Sequence, residues 1–355
     1  MRHDHAPGDD GVMAIVNGSV ATGDGLMEPG TVLVRGERIA AVGPAAQIEA
    51  PPSARRIAAT DRLVLPGFID VRVPVCPDRE ADGRRPHELS RRLLRSGVTR
   101  FLPATAASSA EQLRWALGFA RPDRHGEPGA QPMGLRLELP LGVGRNGGLG
   151  VAQAKQLVLE ARRSGTGKSI LVVVGAAGRG ATELISWAAA EGLVAGMTVA
   201  DADYERGRRA FEAGARYAAG VLDGLDDLHH RKPGAVAAAL LDDRVTVEVP
   251  VADDGVGCGV ASLFMRAKGA ERCVLCSGRR AGTGSGMLEA VATASRLSGV
   301  GVLGASRMAS ASPAALWGLG GSVGCVAPGM TADLVLVTRD FEVVATIVRG
   351  ALAYH

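Results

Sequence analysis

The segment RLVLPGFIDVRVPVCPD, residues 62–78, decides the fold. Within it, GFIDVRV has the length and the apolar content of a buried strand, and a Pro-Gly pair separates it from an earlier strand-like run. Further runs of this kind recur along the chain, with helical stretches between them. The other runs are TRFLPAT, GLRLELP, SILVVVGA, LVAGMTV, ARYAAGVLD, VTVEVPVAD and RCVLCSG, and helices are predicted at Val151–Arg163, Tyr204–Ala213 and Ser285–Leu297.

These eight strand-and-helix units predict an α/β fold, a (β/α)8 TIM-like barrel over residues 64–320. In such a barrel the chemistry lies at the carboxyl ends of the strands. A doubly wound sheet is the alternative. It is less favoured because no Gly-rich phosphate-binding turn follows the first strand.

The two ends of the chain share a sequence pattern that differs from that of the central part. Short β-like runs, MAIVNGSVA and GTVLVRGERIAAVG, alternate with Gly turns near the N-terminus, and GMTADLVLVTRDFEVVATIVRGALAYH repeats this pattern at the C-terminus. Residues 13–63 and 321–355 are therefore predicted to form one small β-sandwich domain. Residues 1–12, MRHDHAPGDDGV, are polar and rich in Gly and Pro, which predicts a disordered extension and makes Met13 an alternative first residue.

Composition narrows the function classes. With 355 residues, of which 46% are hydrophobic and 22% charged, the chain has the make-up of a globular protein with a large core. The net charge of +3 is scattered and aromatics are only 3%, which argues against a nucleic-acid binder. Since no apolar run approaches about 18 residues and no signal peptide opens the chain, we expect a cytoplasmic protein without membrane contact.

The five cysteines predict reduced thiols, because their number is odd and they are spread over a large chain. Cys273 and Cys276 form a C-x-x-C within a strand-like run. Residues three apart in a strand face opposite sides, so the pair is predicted to lie in the core.

Four segments carry a family resemblance: LPGFIDV at 65–71, GLRLELP at 134–140, LHHRKPG at 228–234 and VAPGMTADLVLV at 326–337. On these motifs the chain resembles the amidohydrolase superfamily, and specifically the N-acetylglucosamine-6-phosphate deacetylases, over nearly its whole length. The family has GLHLEGP and LHHREPG at the second and third segments. The resemblance implies the split β-domain, and it implies a homodimer with the LHHRKPG loop near the interface.

The resemblance also implies a divalent metal held by histidine and carboxylate ligands, together with a catalytic aspartate. In this chain Glu138 is the only residue retained from that set. The corresponding positions carry Arg72 and Pro74 on the first strand, Arg136 on the third, Met197 or Val199 on the fifth, Gly220 on the sixth, Gly257 on the seventh, and Ser277-Gly278 in place of Thr-Asp. We therefore expect neither a metal nor another cofactor.

A second family feature is kept. His229, His230 and Arg231 match the segment that lies by the substrate phosphate in the family, whereas Asp223 stands where the family has asparagine. Two interpretations are equally supported: a surviving anion subsite, or residues of an exposed loop or a dimer contact. Asp223 argues against phosphate, because a carboxylate repels it.

The substituted residues form a pattern of their own. Alternation in a strand places Asp70, Arg72 and Pro74 on one face and Arg136 and Glu138 on one face, and by family position both faces line the barrel interior. Arg279 would add a third guanidinium. The favoured interpretation is ion pairing with Glu138 and Asp70, since an unpaired buried charge is costly. The alternative is a pocket for a carboxylate or a phosphate.

Three functions remain open. The first is a pseudoenzyme that binds a small anionic or sugar-derived ligand or a protein partner. The second is a metal-independent enzyme that uses Arg72 and Arg136 for anion binding and Glu138, Asp253 or Asp254 for acid–base chemistry. The third is a metal-dependent N-acetyl-sugar-phosphate deacetylase.

Overall fold

The structure is a computed structural model. It describes residues 11–75, 85–121, 128–142, 148–166, 170–175, 178–200, 202–221, 229–249, 251, 258–277, 286–297 and 299–355.

The strands are β1 (Val12–Thr22), β2 (Gly25–Arg35), β3 (Arg38–Pro44), β4 (Arg55–Ala58), β5 (Arg62–Pro66), β6 (Phe68–Pro74), β7 (Val98–Ala106), β8 (Gln131–Pro132), β9 (Leu135–Leu139), β10 (Ile170–Gly175), β11 (Val194–Thr198), β12 (Tyr217–Ala219), β13 (Thr246–Val249), β14 (Cys273–Leu275), β15 (Leu334–Thr338), β16 (Val343–Val348) and β17 (Ala351–Tyr354). The helices are α1 (Pro86–Leu94), α2 (Ala110–Phe119), α3 (Val151–Ala161), α4 (Ala181–Ala190), α5 (Tyr204–Glu212), α6 (Gly234–Leu241), α7 (Cys258–Lys268), α8 (Gly286–Arg296), α9 (Gly301–Ala309) and α10 (Ala311–Leu316).

The two ends of the chain form one mostly antiparallel sheet, in the order β17-β16-β15-β5-β1-β2-β3, with β4 paired to β1. The central joint is the antiparallel pair β5–β15, in which Leu63 lies opposite Val337. Buried side chains from both ends, among them Ile15 and Ile347, share one apolar cluster. The predicted β-domain built from both termini is thus confirmed, as a single continuous sheet that begins at Val12 and takes in β5.

The rest of the chain forms the predicted barrel. Eight parallel strands follow one another in the order β6-β7-β9-β10-β11-β12-β13-β14, and each overlaps one of the predicted runs. Between β14 and β6, the described residues show no hydrogen-bonded ladder, so the barrel is nearly closed. The three predicted helices are α3, α5 and α8.

Side-chain alternation separates the inside of the barrel from the helix layer. On β10, Ile170, Val172 and Val174 pack in the large cluster with the helices, while Leu171 and Val173 lie in the interior cluster. The C-x-x-C pair divides in the same way, because Cys273 belongs to the helix-facing cluster and Cys276 to the interior one. Cys273, Cys276 and Cys325 are free thiols.

The amino-terminal end of the barrel is filled with apolar side chains. Leu316, Trp317 and Leu319, in and after α10, pack against interior residues such as Ile69 and Leu102. Any opening of the barrel therefore lies at the carboxyl ends of its strands. No helix in the described ranges is long and apolar enough to cross a membrane.

Candidate functional site

The third barrel strand, β9, sets the first part of the site. Its leucines, Leu135, Leu137 and Leu139, are buried in the helix-facing cluster. The two residues between them therefore point into the barrel. Arg136 is 1% exposed, and it is the largest fully buried side chain among the described residues. An unpaired arginine could not be buried so completely, so its partners define the site.

The main partner of Arg136 is Glu248, a fully buried residue on β13. Arg136 Nη1 donates to Glu248 Oε2 at 2.5 Å, and the Tyr217 hydroxyl donates to the same oxygen at 2.6 Å. Arg72 Nη1 donates to Glu248 Oε1 at 3.0 Å. The Cys276 thiol lies 3.5 Å from Oε1. Each oxygen of Glu248 thus accepts from at least two groups.

Glu138 completes the arrangement. Arg136 Nε donates to Glu138 Oε1 at 2.9 Å, and Arg72 Nε lies 3.7 Å from the same oxygen. The Arg136 guanidinium also lies over the Tyr217 ring, 5.7 Å from its centroid. We call these five residues, Arg72, Arg136, Glu138, Tyr217 and Glu248, the charge cluster.

The electrostatics of the charge cluster follow from its pairing. Burial alone would raise the pKa of Glu248, but the charges of Arg136 and Arg72 and the Tyr217 hydrogen bond outweigh burial and lower this pKa to about 2. Burial lowers the pKa of Arg136, whereas Glu248 and the other partners raise it, with a net rise. Burial and then the charge of Glu248 raise the pKa of Tyr217. The pair is therefore ionised at neutral pH, and Tyr217 is a neutral hydrogen-bond donor.

Asp70, on the first barrel strand β6, contacts the end of the last barrel strand. Its carboxylate accepts hydrogen bonds from the Ser277 hydroxyl and from the Arg72 backbone N–H. Burial raises the pKa of Asp70, and the Ser277 hydrogen bond opposes that rise. This contact links β6 to the end of β14, where the barrel has its gap.

The predicted alternation along β6 is wrong in detail. Val71 packs with the apolar interior residues, and its neighbour Arg72 also contacts interior groups through Glu248. Two consecutive residues of a regular strand cannot face the same side. The cause is an irregular register with β7 between Asp70 and Val73, which resembles a β-bulge in its effect.

The described part of this region does not fit a divalent metal. Guanidinium groups have no lone pair to offer a cation and carry a positive charge themselves. Arg136 and Arg72 already surround Glu138 Oε1 and engage both oxygens of Glu248. No group of three or more His, Cys, Asp or Glu residues that could hold a metal occurs within the described ranges. Gly220 has φ +63°, a left-handed conformation that favours glycine.

The His229–Lys232 segment lies between β12 and α6. His229, His230 and Arg231 are exposed. His229 Nδ1 accepts the Arg231 backbone N–H at 3.2 Å, and the rings of His229 and His230 are 4.4 Å apart. One role of His229 is therefore to hold the turn.

This segment borders a cleft of about 1030 Å³ that reaches Val199 and Gly220, at the carboxyl ends of β11 and β12. Its charged lining residues are Arg206, Arg209, Arg231, Lys232, Asp203 and Glu205, with His229 and Tyr204 beside them. Among the described lining residues, four basic groups outnumber two acidic ones, a balance that favours an anion.

Several predicted site residues lie outside the described residues. They are the candidate acids or bases Asp253 and Asp254, the ligand-binding candidates Asp223 and Arg279, and the substituted positions Gly257 and Gly278. The structure joins Arg72, Arg136 and Glu138 in one cluster and places His229 and Arg231 at a separate cleft.

Sequence reasoning missed Glu248 and Tyr217. The signal for Glu248 was a lone carboxylate between Val247 and Val249 in a run otherwise typical of a buried strand. Such a residue needs a buried cation, and the arginines on β6 and β9 were available. No comparable signal marks Tyr217, since a tyrosine at the start of a strand is ordinary.

The comparisons with known proteins agree with this architecture. Residues 265–353 match the amidohydrolase family. The chain is 28% identical over 330 residues to an N-acetylglucosamine-6-phosphate deacetylase of Vibrio furnissii, which covers 82% of this chain and 83% of that protein. It is 27% identical over 334 residues to an N-acetylgalactosamine-6-phosphate deacetylase of Escherichia coli O157:H7, with 82% and 88% covered.

Among solved structures, N-acetylglucosamine-6-phosphate deacetylase from Pasteurella multocida superposes with a TM-score of 0.81 at 21% identity, over 97% of this chain and 100% of that chain. This likeness confirms the barrel with its terminal β-domain. The sequence matches confirm homology to deacetylases of amino-sugar phosphates and to the amidohydrolase family.

Proposed function

We propose that the protein binds a small anionic sugar derivative, of the hexosamine 6-phosphate class, at the carboxyl-end mouth of its barrel, and that it is a pseudoenzyme without metal-dependent amide hydrolysis. The observation that carries the proposal is the buried Arg136–Glu248 pair with its Tyr217 hydrogen bond. The ligand class rests on the basic cleft and on the names of the relatives.

The reasoning about hydrolysis is electrostatic. Among the described residues, two guanidinium groups and two carboxylates of the charge cluster pair with one another. A divalent cation at Glu138 would have to displace Arg136 from the carboxylate and would then lie beside two fixed positive charges. Arg136 also occupies the position where the family has histidine.

A second candidate function, metal-dependent deacetylation, is favoured by the comparisons. The curated relatives described above are named as deacetylases of N-acetylated hexosamine 6-phosphates. On the comparisons alone this candidate is better supported than a pseudoenzyme, and the geometry of the charge cluster is what separates the two. Metal-independent chemistry with Glu138, Asp253 or Asp254 as acid or base is the third candidate.

Elemental analysis and an acetate-release assay distinguish these candidates. Protein without a His-tag is expected to carry no stoichiometric zinc, iron or manganese. It is also expected to release no acetate from N-acetylglucosamine 6-phosphate or N-acetylgalactosamine 6-phosphate when each metal is added. One metal per chain together with acetate release, both lost in Glu138→Ala, would establish the deacetylase. Acetate release that persists after chelation would establish the metal-independent enzyme.

A homodimer and a protein partner belong to the same proposal. Support for the dimer is the exposed His229–Lys232 segment, which the family resemblance places near a subunit interface.

A further inference from the structure

The charge cluster has a buried layer and a partly exposed layer. The side chains of Glu248 and Arg136 are 0% and 1% exposed, and Tyr217 is fully buried. The side chains of Arg72 and Glu138 are 24% and 33% exposed. Both of these residues lie towards the carboxyl ends of their strands, β6 and β9. The solvent-facing layer of the cluster is therefore an arginine and a glutamate at the barrel mouth.

Glu138 is held in place by the two arginines of the charge cluster. Its Oε1 accepts from Arg136 Nε at 2.9 Å and lies 3.7 Å from Arg72 Nε. Arg136 is itself fixed by its hydrogen bond to the buried Glu248. The Glu138 carboxylate is therefore bound to a side chain that cannot rotate freely. Its second oxygen, Oε2, receives no hydrogen bond from the described residues. A fixed carboxylate oxygen at the barrel mouth can accept a hydrogen bond from a ligand.

The charge around Glu138 decides which donor suits it. The nearby guanidiniums already balance the carboxylate, so an ammonium group would meet two positive charges, and an anionic group would meet the carboxylate itself. A neutral O–H or N–H donor avoids both conflicts, and its hydrogen bond to an ionised acceptor is stronger than a neutral one.

The cleft supplies the second contact. Val199, at the end of β11, lines the cleft, and β11 is two strand positions from β9 in the sheet order. Two strand spacings amount to about 10 Å along the barrel wall, which sets the scale of a ligand that would reach both.

We propose that Glu138 is a specificity-determining residue that accepts a hydrogen bond from a neutral hydroxyl or acylamino N–H of the ligand whose anionic group lies in the cleft. This inference rests on the proposed function. It gives Glu138 a part in binding a sugar, with Arg136 and Glu248 as its positioning residues.

Calorimetric titration of wild-type protein with three ligands tests the donor. N-acetylglucosamine 6-phosphate and glucose 6-phosphate, which present neutral donors, are expected to bind about tenfold more tightly than glucosamine 6-phosphate, which presents an ammonium group. Tighter binding of glucosamine 6-phosphate would overturn the assignment. If none of the three ligands binds, the proposed function fails together with this inference.

Titration of Glu138→Gln tests the residue. Replacing one carboxylate oxygen by an amide N–H should weaken N-acetylglucosamine 6-phosphate binding about 10- to 100-fold, while binding of inorganic phosphate stays unchanged and shows that the protein is folded. Glu183→Gln is the matched control, because Glu183 pairs with Lys155 on the surface. Unchanged N-acetylglucosamine 6-phosphate affinity in Glu138→Gln would overturn the role of Glu138 and leave the proposed function standing.

Discussion

The charge cluster and the His229–Lys232 segment are two parts of one barrel that differ in pairing and in burial. Each member of the cluster is engaged by another, and its deepest members are fully buried. The segment resembles a family motif, yet its side chains are exposed. Resemblance to a motif and burial in a paired cluster are therefore separate properties of this chain.

The difference also has an energetic side. Removing one partner of a buried ion pair leaves the other charge without compensation, which is expensive in a poorly solvated interior. An exposed charge keeps its water, so its removal changes stability little. Substitutions in the charge cluster should therefore lower the free energy of unfolding far more than substitutions in the His229–Lys232 segment.

The largest expected effect is on stability. Arg136→Met and Glu248→Gln should each lower the free energy of unfolding by about 3–5 kcal/mol, because each leaves a buried charged partner unmatched. Arg231→Gln, in the exposed segment, should stay within about 0.5 kcal/mol of wild type. Urea denaturation followed by circular dichroism measures all three. Equal losses of unfolding free energy in the two regions would contradict the expected difference between the charge cluster and the segment.

A double-variant cycle sharpens the same point. If Arg136 and Glu248 stabilise one another, the loss in Arg136→Met/Glu248→Gln should be smaller than the sum of the single losses by about 1–3 kcal/mol. Additive losses would show that the 2.5 Å contact between the two side chains contributes no coupling.

The second effect is the acid dependence of stability. The pKa of Glu248 is lowered from 4.5 to about 2, so its ionised form is favoured in the folded protein. Its stabilisation is complete above pH 4.5 and is lost as the pH falls towards 2, by on the order of 3 kcal/mol in total. Asp70, whose pKa is raised, contributes to the pH dependence of stability with the opposite sign. Its contribution is common to wild type and Glu248→Gln, so it does not affect their difference.

Denaturation curves of wild type and Glu248→Gln between pH 2 and pH 5 check this prediction. Their stability difference should shrink as the pH falls, since protonation of Glu248 removes the charge that the variant already lacks. Arg231→Gln should follow wild type at every pH. A constant difference between wild type and Glu248→Gln would mean that Glu248 is not the group that titrates.

Part of this molecule could be predicted from the sequence. Strand periodicity gave the barrel, and the Gly-punctuated ends gave the terminal sheet, because both follow from local pattern. On β9 the alternation of leucine with Arg136 and Glu138 also placed both charges inside. On β6 the same rule failed at Arg72, because a register irregularity depends on the neighbouring strand. The partnership of Arg136 with Glu248 joins residues 112 apart, which no local pattern reveals.

The smallest expected effect concerns the cleft, and it separates the two interpretations of the retained segment. Arg209 lines the cleft, whereas its neighbour Arg208 on the same helix pairs with Glu205 and Glu212 and does not line it. If the cleft binds the anionic group, Arg231→Gln and Arg209→Gln should each weaken binding of glucose 6-phosphate about 3- to 10-fold, and the loss should diminish as salt screens the charges. Arg208→Gln, the matched control, should bind as wild type does. Unfolding free energies should be nearly equal in all three variants, so that a change in affinity cannot be traced to folding. If Arg231→Gln binds the ligand normally and instead changes the oligomeric state in light scattering, the segment is a subunit contact, and the anion must be sought elsewhere on the mouth.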